Sequence, residues 1–293
     1  MRPADLVLAF AGLLGPAILW YGRPSGWEAS TLAFFFVAAT PLAFRWAEAR
    51  LESRVAGVVA DLFPGVAFLV LYSQLGPLCD LLHPTLADAR LQQIDRFLFG
   101  VQPSVWLEPH LRPWMNDVLM ACYASYFLWP VLVGVYFIRR HDDLAFDRWA
   151  ASVTIFSVLN FVCYLLVPAI GPRFELAGAF HGPIVGLLWA GRLAEAFRHS
   201  PFLRDCFPSG HTALTLMVLW ETRRRIRPFF WVVLPIGLGL ITATVACRFH
   251  YGIDLVCAVP LAAVALWLGD QAIHAFPERL VLWRVVEPSA ERR

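Results

Sequence analysis

Two histidines and an aspartate in the last third of the chain have the residue types and the spacing of a catalytic set. The stretch 208–211 reads Pro-Ser-Gly-His and ends in His211, and the stretch 250–254 reads His-Tyr-Gly-Ile-Asp. Because residues four positions apart lie on one face of a helix, His250 and Asp254 can be neighbours. A carboxylate beside one histidine, with a second histidine nearby, would form a triad for nucleophilic and acid–base chemistry.

The segments between these stretches must bring them together. The interval from His211 to His250 holds two apolar runs, and a helix needs about 20 residues to cross a bilayer. Two crossings would return the chain to the membrane face that it left. The two histidines and Asp254 would then meet at that face.

The composition is that of an integral membrane protein. Of the 293 residues, 59% are hydrophobic and 16% are charged, and the mean hydropathy is +0.60. Apolar runs of spanning length recur along the whole chain, and no polar stretch is large enough for a separate soluble domain. The net charge of +2 gives no indication of a nucleic-acid partner.

The expected fold class is all-α, a polytopic membrane helical bundle of about eight transmembrane helices. Their approximate ranges are 4–21, 30–46, 56–78, 117–138, 149–170, 209–224, 228–247 and 252–273. Because the second range is short, six or seven spans are the alternative. Asp61, inside the third range, could face a polar cavity or pair with a neighbouring helix.

The arginines predict the orientation of the bundle. All 24 basic residues are arginine, since the sequence contains no lysine. Cytoplasmic loops carry the excess of positive charge, and most of the arginines, including residues 223–225, fall on one side of the expected spans. We therefore expect a bacterial-type plasma membrane protein with both termini in the cytoplasm and the face of His211 and His250 outside.

Two long connections lie on the expected outer side, at 79–116 and 171–207. In the first, Leu91, Ile94, Phe97 and Leu98 recur at helical spacing, which predicts an amphipathic helix in the membrane interface. Each connection could form part of a lid or a lipid entrance, or could simply join two helices.

The six cysteines contain no Cys-x-x-Cys pair and lie mostly in or beside apolar runs. We expect buried free thiols. A disulfide between Cys79 and Cys206, which the expected topology puts on one side, is the alternative.

The expected helix starts favour an anion site. His211 opens the sixth span, and His250 and Asp254 open the eighth. Unpaired N–H groups and the helix dipole attract anions at such positions. Proline is tolerated in the first turn, and Gly210 lets a ligand approach the backbone. The combined site suits a phosphate group.

These motifs resemble those of the type-2 phosphatidic acid phosphatase superfamily, also called lipid phosphate phosphatases. The stretches 208–211 and 250–254 are similar to its second and third signature motifs. Gly-Pro-Arg at 171–173 lies where the first motif supplies a phosphate-binding arginine. The resemblance implies a six-helix phosphatase-type core, and the expected division of the chain is 1–55 for two additional helices, 56–275 for the core and 276–293 for a cytoplasmic tail.

Two departures from the family pattern concern the phosphate-binding residues. The family's first motif also carries a lysine, and its third motif has an arginine six residues before the histidine, where this chain has Thr244 and places Arg248 two residues before. These departures, with the Ile-Asp-Arg-Phe-Leu-Phe-Gly of residues 94–100, are more similar to the inositol phosphorylceramide synthase branch. Sphingomyelin synthases share a similar motif pair, whereas Gly210 is more similar to hydrolases. Phosphatase and phosphotransferase both remain open.

The resemblance implies roles for single residues. His250 would attack phosphorus and form a phosphohistidine, while Asp254 holds its ring. His211 would protonate the leaving lipid oxygen and then deprotonate the acceptor. The phosphoryl oxygens would be bound by Arg173, Ser209, Gly210 and Arg248. Arg248 could equally snorkel to the interface.

The implied partners are membrane lipids, with a phospholipid, a sphingolipid or a prenyl phosphate as substrate. The acceptor would be water or an alcohol such as inositol, a soluble polyol. No metal or other cofactor is expected, because no further His/Cys cluster completes a zinc site with His211, His250 and Asp254. The alternative from another class is a catalytically reduced lipid-binding or lipid-transporting membrane protein with the same fold.

Overall fold

The computed structural model describes residues 2–22, 27–82, 85–199 and 204–275. Within these ranges it contains helices and no strand, so the all-α prediction is confirmed. The predicted tail 276–293 and residues 200–203 of the second long connection lie outside the described residues.

The α-helices of the described chain follow one another with short connections. They are α1 (Pro3–Gly22), α2 (Trp27–Leu51), α3 (Arg54–Ser73), α4 (Leu75–Leu82), α5 (Asp88–Phe99), α6 (Pro103–Leu107), α7 (Pro113–Ala124), α8 (Leu128–Arg139), α9 (Asp143–Leu166), α10 (Pro172–Glu175), α11 (Ala190–Arg198), α12 (Gly210–Arg225), α13 (Arg227–Ala246) and α14 (Gly252–Ala275). Single 3-10 turns occupy Glu108–His110 and Ala177–Ala179.

Five of these helices are long and apolar enough to cross a bilayer, namely α2, α3, α9, α13 and α14. The pair α7 and α8 would make a sixth span, bent by 43° at its break. The described part of the chain thus has five or six candidate spans, where the sequence predicts about eight. This arrangement is a helical membrane bundle.

The difference from eight spans has local causes. The expected fourth span divides at residues 125–127 into α7 and α8. The expected third span ends at Gln74, whose backbone N–H caps α3, but α3 alone remains a candidate span. The expected sixth span, α12, has 16 residues and carries three arginines in its last turn. Near the N-terminus, the apolar stretch Pro3–Pro16 of α1 is also shorter than a full crossing.

Helix α9 lies at the centre of the bundle. It packs against α1, α3, α4, α8, α12 and α14. Its buried residues run from Ala145 to Leu165, and a helix that is apolar all round is typical of a protein interior. One apolar cluster, including Phe156 and Met217, packs α9 against α8 and α12–α14. A second, including Phe34 and Tyr164, packs α9 against α1–α4.

Buried charges are paired at the end of the bundle opposite to the starts of α12 and α14. The Arg45 guanidinium donates to Asp5 at 3.0 Å and also to Asp61. Arg2 lies 3.2 Å from Asp61 and 2.9 Å from Asp147. Of the two roles open for Asp61, the structure shows pairing with neighbouring helices.

We predict that Arg45→Met lowers the free energy of unfolding by about 3 kcal/mol, because it leaves buried carboxylates short of a cationic partner. Unfolding of the detergent-solubilised protein by heat or denaturant measures the change. Arg50→Met is the matched control, because Arg50 lies exposed in the last turn of the same helix and should change stability by no more than about 0.5 kcal/mol. Equal losses in both variants would contradict the prediction.

Candidate active site

A cavity of about 400 Å³ opens at the end of the bundle where α12 and α14 begin. It is bounded by α3, α7, α9, α11, α12 and the loop before α14. The predicted site residues that line it are Arg173, Gly210, His211 and His250.

The His250 ring is held by two acceptors on one nitrogen. Its Nδ1 lies 2.7 Å from the Cys206 carbonyl oxygen and 3.3 Å from Asp254 Oδ2. Because a carbonyl oxygen can only accept, Nδ1 must carry the proton, which leaves the lone pair of the neutral ring on Nε2. The buried His250 is therefore in the tautomer that a nucleophile at Nε2 requires.

Asp254 is fully buried in the first turn of α14. Its Oδ2 accepts the Tyr251 N–H at 2.8 Å and the Cys206 thiol at 3.0 Å. In the same region, the Cys79 thiol is 3.7 Å from the Tyr164 carbonyl oxygen. The two thiols thus have separate hydrogen-bond partners, and the alternative disulfide between Cys79 and Cys206 is not formed.

His211 stacks on two tyrosines that the sequence analysis did not single out. Its ring centroid lies 4.3 Å from that of Tyr123, with nearly parallel planes, and 4.1 Å from that of Tyr126. The His211 and His250 centroids are 6.0 Å apart. Tyr123 lies near the end of α7 and Tyr126 in the bend that follows it, three positions apart, and this spacing could have indicated a shared partner.

Arg173 reaches the cavity from the loop after α9. Its guanidinium lies 5.3 Å from the centre of the Phe249 ring and donates to the Phe197 carbonyl oxygen at 3.3 Å. Its buried Nε–H has no acceptor among the described residues. A buried donor without an acceptor, beside two histidines, fits an anionic ligand.

Asp205 is a further acidic group at the cavity that the sequence analysis missed. Burial raises the pKa of its carboxyl, against the attraction of Arg173 and His250. It lies one residue before Cys206, and no motif spacing marks it.

Gly171 permits the close approach of the Arg173 loop to the His250 loop. Its φ is +86°, and a Cβ there would lie 2.6 Å from the Phe249 carbonyl oxygen. The Arg173 N–H donates to the Arg248 carbonyl oxygen at 2.9 Å, next to that contact. A side chain at position 171 would separate these two loops.

Residues 89–268 match the family described as the PAP2 superfamily. The chain belongs to this superfamily. A PA-phosphatase related-family protein of Dictyostelium discoideum is 25% identical over 179 residues, which cover 53% of this chain and 32% of that protein. The chain thus spans about a third of the length of this relative. No solved structure matches this chain. The similarity of the chain to the inositol phosphorylceramide synthase branch stays a prediction.

Ser209 and Arg248, the two remaining predicted phosphate ligands, do not line the cavity. The buried Ser209 hydroxyl accepts the Thr212 N–H at 3.2 Å and so caps α12. Arg248 has a positive φ of 66°, and its guanidinium donates to Glu108 at 2.9 Å and to the Gly182 carbonyl oxygen at 2.8 Å. Arg248 therefore ties the two long connections together, and Arg173 is the predicted arginine that lines the cavity.

Gly210, at the start of α12, must lack a side chain for packing reasons. A Cβ there would lie 2.7 Å from Asn160 Nδ2 and 3.0 Å from the Tyr164 hydroxyl, both on α9. Thr244 takes the place of the PAP2 arginine and is fully buried. Its carbonyl oxygen accepts the His250 N–H at 2.9 Å.

Helix α5 holds the first and third PAP2 motifs through Asp88. This buried carboxylate accepts the Ile170 N–H at 3.0 Å and the Gly171 N–H at 2.8 Å. It also accepts the Tyr251 hydroxyl at 2.9 Å. One side chain therefore binds the loop that carries Arg173 and the residue that follows His250.

Asp95, two turns further along α5, caps α14 from outside that helix. It accepts the N–H groups of Gly252 at 2.8 Å and Ile253 at 2.7 Å. Burial raises the pKa of Asp95, and these two hydrogen bonds lower it. The predicted helix is present, with Asp88 and Asp95 buried and Phe97 87% exposed, while its location in the membrane interface stays a prediction. Two acids seven positions apart on an amphipathic helix were the available signal.

We predict that Asp95→Ala speeds amide hydrogen exchange at Gly252 and Ile253, because their N–H groups lose their acceptor. The free energy of unfolding should fall by about 1 kcal/mol, as for other helix caps. Mass-spectrometric hydrogen exchange on the solubilised protein measures the effect. The exchange rates of Asp95→Asn, which keeps one acceptor oxygen, should lie between those of the unsubstituted chain and those of Asp95→Ala. Gln93→Ala, at an exposed position on the same helix, is the control. Unchanged exchange in Asp95→Ala would show that Asp95 does not cap α14.

Proposed function

We propose that this PAP2 protein hydrolyses a lipid phosphate through a phosphohistidine on His250. Membership of the superfamily supports phosphatase-type chemistry on lipid phosphates. The observation that carries the proposal is the cavity in which the unpartnered, buried Nε–H of Arg173 lies beside His211 and His250. A phosphoryl group would supply the missing acceptor.

In the first step, Nε2 of His250 attacks phosphorus and forms the N–P bond while the bond from phosphorus to the lipid oxygen breaks. The leaving oxygen takes a proton from His211, which must enter as the imidazolium. Burial, His250 and Arg173 lower the pKa of His211 in the free site, and the negative charge of a bound phosphate would favour the imidazolium. The phosphorylated His250 ring is cationic, and its Nδ1–H stays bound to the Cys206 carbonyl oxygen and Asp254. Those two acceptors stabilise the positive charge as it forms.

In the second step, His211 is the base. It takes a proton from water, whose oxygen attacks phosphorus and breaks the N–P bond, so that phosphate leaves and both histidines return to their starting states. Tyr123 and Tyr126 fix the position of the His211 ring by stacking. Arg173 would bind the phosphoryl oxygens in both steps.

Water is the proposed acceptor because membership of the superfamily supports phosphatase-type chemistry. Besides the two histidines and Arg173, the side chains that line the cavity are mostly aromatic or aliphatic, but four of them are tyrosines and one, Asp205, is a carboxylate. A polyol such as inositol would lose affinity for each buried hydroxyl without a partner. The transferase alternative therefore predicts that the hydroxyl groups of the acceptor form hydrogen bonds with the tyrosine hydroxyls and Asp205.

We also propose that both termini are cytoplasmic and that the cavity faces outward across a plasma membrane. The arginine bias supports this orientation, since residues 223–225 lie at the end of α12 away from His211. The proposed core is 56–275, with 1–55 as two additional helices packed on α9 through α1. A cysteine label at position 187 that reacts only from the cytoplasmic side would overturn the orientation.

We predict that His250→Ala lowers phosphate release from phosphatidic acid by about 10³-fold or more, because the nucleophile is lost. The measurement is phosphate release from detergent-solubilised protein supplied with phosphatidic acid, sphingosine phosphate and prenyl diphosphate, with and without inositol. Activity that survives in His250→Ala would contradict the nucleophile. An inositol-containing product would favour the transferase, and specific lipid binding without turnover would favour the lipid-binding alternative.

His211→Ala should separate the two steps when p-nitrophenyl phosphate, whose leaving group needs no proton, replaces the lipid. Formation of the phosphoenzyme would continue while its hydrolysis slows, so an acid-labile phosphohistidine should accumulate at His250. Phosphopeptide mapping detects it. Absence of the phosphopeptide, together with fast release of p-nitrophenol, would contradict a role of His211 in the second step.

Arg173→Ala should lower kcat/KM for p-nitrophenyl phosphate by roughly 10²-fold to 10³-fold, as for loss of a donor to a phosphoryl group. Arg248→Ala is the matched comparison, since Arg248 is bound to Glu108 and should cause a much smaller loss. A larger loss in Arg248→Ala than in Arg173→Ala would assign the phosphate contact to Arg248.

A further inference from the structure

A second cavity, the α3–α8 groove, continues from the active-site cavity along the bundle. It has a volume of about 220 Å³ and lies between α3 and α8, with α9 as its floor. Tyr126 and Phe127, at the bend between α7 and α8, line both cavities. Helix α3 also passes from one to the other, with Leu69 in the first and Leu62 in the second.

The walls of the α3–α8 groove are apolar and open sideways. Leu62 is 60% exposed, Val131 55% and Ile138 47%, although all three lie on helices of the membrane bundle. Such side chains face either lipid or a ligand. The 43° bend between α7 and α8 lies at one end of this groove, where Tyr126 and Phe127 line it.

Charged side chains lie at the end of the groove that is farther from the active-site cavity. Asp61 lines it there and pairs with Arg2 and Arg45. A hydrocarbon chain that reached this ion-paired group would desolvate it without replacing any hydrogen bond, which is unfavourable. From Pro130 to Ile138 the groove wall measures roughly 12 Å along the helix axis, close to the ~15 Å half-thickness of a bilayer core.

We propose that the α3–α8 groove binds one hydrocarbon chain of the lipid phosphate substrate and limits its length. The proposal rests on the proposed function. Tyr126 stacks on His211 at 4.1 Å, so a phosphate bound between the histidines places the attached lipid beside the mouth of the groove. The chain would follow the apolar wall of α8, and Asp61 would mark its end.

Two glycines provide a matched pair of variants. A Cβ added at Gly65 or at Gly76 meets no atom within 4 Å, so both positions have open space where a larger side chain begins. Gly65 lines the α3–α8 groove, whereas Gly76, on α4, lines neither cavity. Gly65→Leu therefore narrows the groove, and Gly76→Leu adds the same side chain elsewhere.

We expect Gly65→Leu to lower the ratio of turnover of dioleoyl to dioctanoyl phosphatidic acid roughly tenfold, the effect of misplacing a methylene group in an apolar pocket. Gly76→Leu should leave the ratio at the value of the unsubstituted chain. Phosphate release in mixed micelles gives both rates. An unchanged ratio in Gly65→Leu, with turnover intact, would contradict the binding of a substrate hydrocarbon chain in the α3–α8 groove. It would leave the proposed function unaffected.

A second measurement does not depend on turnover. Phosphatidic acid with a diazirine near the end of one chain should label α8 between residues 130 and 138 on irradiation, and Gly65→Leu should reduce this labelling while Gly76→Leu does not. Phosphatidylcholine with the same diazirine is the comparison. Equal labelling by both lipids would mean that bulk membrane lipid fills the groove, which would overturn the proposal. Selective labelling without turnover would support the groove and contradict the proposed hydrolysis.

Discussion

Buried backbone N–H groups at the end of the bundle that holds the candidate active site need acceptors, and two carboxylates of α5 supply them. Asp88 binds the loop before α10 and Tyr251, and Asp95 binds the first two N–H groups of α14. An unsatisfied buried N–H costs about 1–3 kcal/mol. The relative position of the first and third motifs therefore depends on a helix that belongs to neither motif.

The positions of the candidate catalytic groups depend on these contacts. Because Asp88 fixes Gly171, the Arg173 N–H reaches the Arg248 carbonyl oxygen and its guanidinium reaches the Phe249 ring. Because Asp95 fixes the start of α14, Asp254 lies beneath His250 Nδ1. Fixed donors and acceptors of this kind require no rearrangement as charge develops at phosphorus.

The sequence predicts the groups that local spacing determines. His250 and Asp254 are neighbours because they are four residues apart at a helix start. Helices α12 and α13 run in opposite directions and so bring His250 back to the end of the bundle where His211 lies. The family resemblance predicts Arg173 as a phosphate ligand, and Arg173 does line the cavity. These features depend on helical geometry and motif order, and both are visible in one chain.

Long-range contacts are not visible in the same way. The spacing of apolar residues in α5 predicts an amphipathic helix in the membrane interface. It does not predict that the acids of this helix are buried, because the partners of Asp88 and Asp95 lie more than 80 residues away along the chain. Arg248 is close to His250 in sequence, but its positive φ turns the side chain to Glu108. The number of candidate spans differs because α12 and the apolar part of α1 are short and because the break at residues 125–127 divides the expected fourth span.

The two halves of the proposed substrate would be recognised by different forces. Hydrogen bonds depend on distance and angle, so the phosphate end requires the rigid loops that α5 holds. Burial of a hydrocarbon chain depends on the apolar area removed from water and not on direction, so a bent, laterally open space between α3 and α8 suffices there. Selectivity for the head group would thus reside in few polar atoms, whereas selectivity for the chain would depend on the length of the groove and on the charges of Asp61 and its partners at its end.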